Sequence, residues 1–171
     1  KLPYHEIQDY PAELNSATVI ARLIDGLGFR YYWATEGLRD EDLAFKPSED
    51  GRTTEQTVDH ILGLTNVILN SALKKGGEAL SIEGMTFVEK RTLTLNMLKQ
   101  AAYVFRAAED LSQFKIVFNR GGKTSEYPFW NQINGPIADA IWHTGQIISH
   151  RRTSGNPYNS KASVFTGKVG N

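Results

Sequence analysis

The sequence contains no cysteine. Disulfides, thiolate metal ligands and a cysteine nucleophile are excluded together, and any metal would have to be held by His, Asp or Glu. Net charge is lacking too: 19 Lys and Arg balance 19 Asp and Glu, so no overall field draws in nucleic acid or an anionic lipid surface. No apolar run approaches the roughly 18 residues that a membrane-spanning helix needs. Neither a membrane span nor a nucleic-acid partner is expected. Common catalytic signatures are missing as well. There is no Gly-x-Ser-x-Gly elbow and no His-Glu-x-x-His helix, so the usual serine-hydrolase and zinc-protease patterns lapse. Gly122-Lys123-Thr124 imitates the end of a phosphate-binding loop, but Val117 stands where that loop needs its first glycine.

What is present is an ordinary globular composition, 171 residues of which 40% are hydrophobic. That length suits one core, so residues 1–171 are expected to form a single domain. Residues 1–15, with Pro3 and Pro11, read as an extended arm, and residues 157–171 as a tail packed on the surface. The sequence begins at Lys1 rather than Met. That start reads as processed or trimmed, and it leaves localisation open between the cytoplasm and export after signal-peptide removal.

Four helices are expected. The first runs from about Ser16 to Gly37, with Val19, Ile20, Leu23, Leu27, Tyr31 and Ala34 recurring at three- and four-residue steps as a buried stripe. Arg39 to Arg52, rich in charge and carrying Pro47 and Asp50-Gly51, reads as a surface connection. Thr53 and Gln56 form a capping box that opens a second helix reaching about Lys74. The third spans about Thr86 to Leu111, with Val88, Leu95, Leu98, Ala102 and Phe105 on its inner face. Residues 114–130 carry Ile116-Val117-Phe118, Gly121-Gly122 and Pro128, which predict a short extended excursion or hairpin. The fourth helix holds Ile137, Ile141, Ile147 and Ile148. It starts at Pro136, or near Trp130 with a kink at Pro136, and stops at Ser154-Gly155-Asn156-Pro157. The expected fold class is all-α, an antiparallel four-helix bundle with one extended excursion between helices three and four.

Asp139 and His143 are four residues apart on the predicted fourth helix, so both side chains rise from one face and can grip one ion. The same spacing in isolation is a plain surface hydrogen bond. His60, among Val58, Ile61 and Leu62 on the second helix, can be turned by a bundle toward the same interior point. Three ligands from two helices would leave room for water or substrate. Gln146, one turn after His143, is a candidate to orient a ligand from the second shell; its plain reading is a helix–helix hydrogen bond. His150 lies about 10 Å beyond His143 along the helix, too far to share an ion, and reads as a residue that supports the ligands from behind or lines the pocket, or as a partly exposed histidine near the helix end. His5 has no chemical role. Arg151 and Arg152 suit the carbonyl end of their helix, with an anionic substrate as the alternative. Phe29, Tyr31, Tyr32 and Trp33 cover too much of the first helix for all to face a core, so some should line a pocket or an interface.

Residues 136–155 read Pro-Ile-Ala-Asp-Ala-Ile-Trp-His-Thr-Gly-Gln-Ile-Ile-Ser-His-Arg-Arg-Thr-Ser-Gly. With His143-Thr144-Gly145-Gln146, a following basic residue and Gly155, this resembles the terminal-helix motif of the DinB/YfiT-like metalloenzymes. Asp59-His60-Ile61 resembles the place of that family's second-helix histidine, and helix order and size are similar over nearly the whole chain. In the family the three ligands are usually all histidines; the position four before the Gly-Gln histidine here holds Asp139. The resemblance implies one divalent ion on His60, Asp139 and His143, a set that suits zinc, nickel, iron or manganese. It further implies a metal-dependent enzyme, a thiol S-transferase or a hydrolase, acting on a small molecule through a thiol or water at the open metal position. Relatives in that family use low-molecular-weight thiols such as bacillithiol or mycothiol. A homodimer is the expected assembly. The alternative is a non-catalytic bundle that binds a partner and whose metal site has degenerated. A third possibility is a dimer formed through exposed aromatics that regulates a partner.

Overall fold

The structure, a computed structural model, describes residues 1–77 and 79–170. Its long helices are α1 (Ser16–Thr35), α3 (Thr54–Ala72), α4 (Phe87–Arg106) and α6 (Ala138–Thr153), with short α2 (Asp40–Ala44) and α5 (Trp130–Gln132) between them. Three of the long helices begin on reciprocal capping boxes, Asn15/Thr18, Thr53/Gln56 and Thr86/Glu89. In each, the cap side chain accepts the third residue's N–H and that residue's side chain accepts the cap's own.

The helices bury one continuous core. Ile24, Leu27 and Tyr31 of α1, Ile61, Leu62 and Ile68 of α3, Leu95, Leu98 and Phe105 of α4, and Ile137 and Ile147 at α6 are all fully inaccessible. α1 and α3 each pack against both α4 and α6, so the four form a ring around that core. No helix among the described residues is long and apolar enough to cross a membrane.

The all-α expectation is corrected by strand pairing at two places and by the extra short helices. About 54% of the chain is helix and 9% strand, making it a mostly helical but mixed α/β fold rather than a pure four-helix bundle. In the excursion, β1 (Ile116–Arg120) pairs antiparallel with β2 (Lys123–Tyr127). Gly121 and Gly122 turn the hairpin at φ 55° and 75°, the two positive angles of a tight primed turn that side-chain-bearing residues resist. In the tail, β3 (Ala162–Ser163) pairs antiparallel with β4 (Lys168–Val169). This hairpin is stitched to the N-terminal arm, where Ile7 N–H donates to the Gly167 carbonyl at 2.8 Å and the Val169 N–H to Glu6 at 2.9 Å.

The connection Arg39–Arg52 lies largely at the surface as expected, but it contains the short helix α2, which turns two side chains inward. Three acidic residues suit its first turn, and Asp42 and Leu43 are buried. The aromatic group of α1 is likewise covered: Phe29 and Tyr31 are inaccessible, Tyr32 and Trp33 8% exposed. The arm provides that cover. His5 packs against Tyr32 and Trp33 at centroid distances of 5.7 and 5.1 Å, and the Trp33 indole donates to the His5 carbonyl. Tyr4 lies flat on Gly28, where an added Cβ would sit 2.4 Å from its ring. Trp33 reaches a surface groove, beside Ile141 and Ile148. The buried stripe is also shifted from the expected one. Val19 and Leu23 face a groove shared with Trp130 and Ile133, and Val88 is 68% exposed.

Candidate metal centre

Two backbone features bring three side chains together. The capping box at Thr53 starts α3 so that Val58, Ile61 and Leu62 point into the core. His60 is thereby left at the rim of the same face, turned toward α6. Before α6, residues Ile133–Ile137 form a π-helical turn in which Gly135 leaves helical geometry (φ −92°, ψ −114°) and Pro136 follows. Proline cannot donate to the helix ladder, so α5 and α6 are offset rather than continuous. Beyond the offset, Ile137 and Ala140 are inaccessible while Asp139 and His143 stand one turn apart at the edge.

His60, Asp139 and His143 each offer a ligand atom, all lying within 4.8 Å of one another. His60 Nε2 is 3.3 Å from Asp139 Oδ2, and His143 Nε2 is 3.3 Å from Asp139 Oδ1. The two imidazoles meet edge to face with centroids 4.5 Å apart. Donors held at about 2.0–2.1 Å around one tetrahedral ion are themselves separated by about 3.3 Å. The residues therefore form one possible metal-binding group, in which two of the three contacts have that separation.

Protonation favours the ligand form at His60. Its pKa is lowered, chiefly by burial and then by the neighbouring His143 and Arg52 charges, which together outweigh the pull of Asp139. His143 has its other nitrogen engaged, Nδ1 lying 2.8 Å from Gln146 Oε1. With Gln146 Oε1 as the facing atom, Nδ1 is the donor and Nε2 turns its lone pair toward the group. Gln146 thus touches His143 across one helical turn. His150 is not in the group. It is 8% exposed, with Nδ1 3.1 Å from the Thr54 hydroxyl and Phe45 packed beside it, and burial lowers its pKa.

His143 opens onto a cleft of about 550 Å³ whose walls include Pro47, Arg52, Trp142, Gln146 and His150. Arg52, Pro47 and Trp142 escaped sequence reasoning. The available signal was the position of Arg52 directly before the cap of the helix that carries His60. Arg151, read as serving its own helix end, instead reaches α1, donating to the carbonyls of Trp33, Ala34 and Glu36 at 2.9–3.1 Å. His5 serves packing alone.

No family model, curated protein or solved structure matches this chain.

Proposed function

We propose that the protein is a divalent-metal-dependent enzyme in which His60, Asp139 and His143 hold the ion. It would act on a small molecule as a thiol S-transferase or a hydrolase. The observation that carries this is the meeting of His143 Nε2 and Asp139 Oδ1 at 3.3 Å. The ligand atoms of His60, Asp139 and His143 lie within 4.8 Å of one another, and with Nδ1 turned to Gln146 the Nε2 of His143 faces Asp139, an arrangement that one ion shared by all three side chains would satisfy.

Two histidines and a carboxylate form a donor set that suits zinc, nickel, iron or manganese. When bound, such an ion supplies Lewis acidity, making a thiol or water at its open position a nucleophile near neutral pH. The protein's own part is positional. Gln146 fixes the His143 tautomer, Asp139 spans the two imidazoles, and the adjoining cleft admits a small substrate. The resemblance of His143-Thr144-Gly145-Gln146 to the DinB/YfiT-like motif supports the same assignment.

Cobalt substitution tests it. The Co²⁺-loaded protein should show the intense visible bands of a low-symmetry site and gain a thiolate-to-metal band when titrated with a low-molecular-weight thiol. A spectrum identical to that of aqueous Co²⁺ would overturn the metal centre. A metal spectrum unchanged by thiols, together with no metal-dependent hydrolysis of activated esters, would leave a binding protein in place of an enzyme.

A further inference from the structure

The cleft beside His143 is largely apolar, with a few polar groups at its edge. No Asp or Glu is among the residues that line it, and Arg52 is its one formal charge. Arg52 makes no hydrogen bond or ion pair with any described residue, although its field reaches His60. The cleft's hydroxyls are already committed, Thr57 donating to the Thr53 carbonyl and Ser149 to that of Gly145.

Two further donors are open. The Thr54 hydroxyl has His150 Nδ1 at 3.1 Å as its partner and no other acceptor among the described residues. It therefore donates to Nδ1, and the imidazole proton sits on Nε2 with no protein acceptor. His150 is more than nine-tenths buried, so this donor is fixed in place rather than free to swing into solvent. Gln146 spends its Oε1 on His143, leaving its amide nitrogen unpaired. Beside these groups, Trp142 is 73% exposed and, with Pro47, gives the cleft an apolar wall.

An exposed guanidinium with no protein partner, beside neutral donors and with no Asp or Glu in the cleft lining, matches an oxyanion, which accepts several hydrogen bonds at once. Resting on the metal reading above, we propose that the substrate carries a carboxylate, phosphate or phosphonate group bound by Arg52, with His150 and Gln146 as further donors. Its apolar portion lies against Trp142, and its reacting end is presented to His60, Asp139 and His143. Arg52 is a binding residue in this scheme, and Trp142 selects substrates with a flat apolar part.

Calorimetric titration of the full-length chain with phenylphosphonate and with inorganic phosphate tests this. Phenylphosphonate should bind the parent, and Arg52→Gln should weaken it by about tenfold or more with an unchanged thermal midpoint. Added salt should erode binding to the parent and leave Arg52→Gln nearly unaffected. Trp142→Ala should weaken phenylphosphonate while leaving inorganic phosphate alone. Equal affinity in the parent and Arg52→Gln, or no binding to the parent at millimolar ligand, overturns the anion site. Metal analysis of the same samples separates the two ideas. Stoichiometric metal with Arg52-independent anion binding defeats the anion site alone. A parent that takes up no metal yet binds phenylphosphonate through Arg52 defeats the metal centre alone.

Discussion

Helix α6 carries two polar clusters, and they are built on opposite principles. Around Arg151 every group is matched. Its guanidinium caps the carbonyl end of α1 and also donates to the Asn156 carbonyl at 2.6 Å. Asn156 donates to Asp42, which also accepts from Ser154 and from both side-chain and backbone nitrogens of Arg39. Around His143 the groups are partly exposed, with His60 and His143 each 3.3 Å from Asp139 beside an open cleft. Buried polar groups are ordinarily satisfied because leaving one unpaired costs about 1–3 kcal/mol. A closed, buried network therefore speaks for stability, and a solvent-accessible convergence of ligand atoms for binding.

That contrast predicts which substitutions damage the fold and which damage binding. The largest effect on stability belongs to the closed cluster. Arg151→Met strips partners from the carbonyls of Trp33, Ala34 and Glu36 at the end of α1 and from Asn156, and should lower unfolding free energy by roughly 3 kcal/mol in urea, with metal uptake by the folded fraction unaltered. Asp42→Asn should cost about 2 kcal/mol and should also change the response to acid. Hydrogen bonds from the Arg39 guanidinium, then from Ser154 and the Arg39 backbone N–H, hold the Asp42 carboxyl well below the usual carboxylate range despite its burial. The unfolded chain thus takes up this proton before the folded one does. The Asp42 contribution is complete above the ordinary carboxylate pKa and is lost as pH falls below about 4 toward the folded value. Urea unfolding from neutral pH to the acid limb should show a shallower loss in Asp42→Asn than in the parent. The smallest effect on stability belongs to Gln146→Ala, which should leave the midpoint of unfolding in place while lowering metal affinity about tenfold. A Gln146→Ala protein that loses stability and keeps its metal affinity would erase the distinction between the clusters.

The two clusters also differ in how far they could be read from sequence. Asp139 and His143 share a helix at four-residue spacing and His60 follows a capping box, which placed them on facing helix surfaces, while the resemblance of residues 136–155 to a known terminal-helix motif is what joined the three into one candidate group. The Arg151 cluster joins residues more than 110 positions apart, and nothing local announces that an arginine in one helix end will cap another. The long helices were legible from their repeats and, for α3, from the Thr53/Gln56 cap; the Asn15/Thr18 and Thr86/Glu89 boxes emerged only in the structure. Val19, Leu23 and Val88 were misplaced because a three- and four-residue repeat marks an apolar face without saying whether a neighbour covers it. The tail hairpin was missed because two-residue strands have no periodicity. The cover that Tyr4 and His5 lay over Gly28, Tyr32 and Trp33 depends on the path of the arm, which hydrophobic pattern does not encode. For the same reason Arg52 looked like part of a charged linker until that linker was seen beside α6.

The most direct test of the open cluster is elemental analysis of metal-replete, chelator-free protein, comparing the parent with His143→Ala and Asp139→Ala. The account predicts close to one divalent ion per chain in the parent and a loss of that ion in both variants, each still folded. A parent devoid of metal, or variants that retain it in full, would contradict the assignment of His60, Asp139 and His143 as a metal centre.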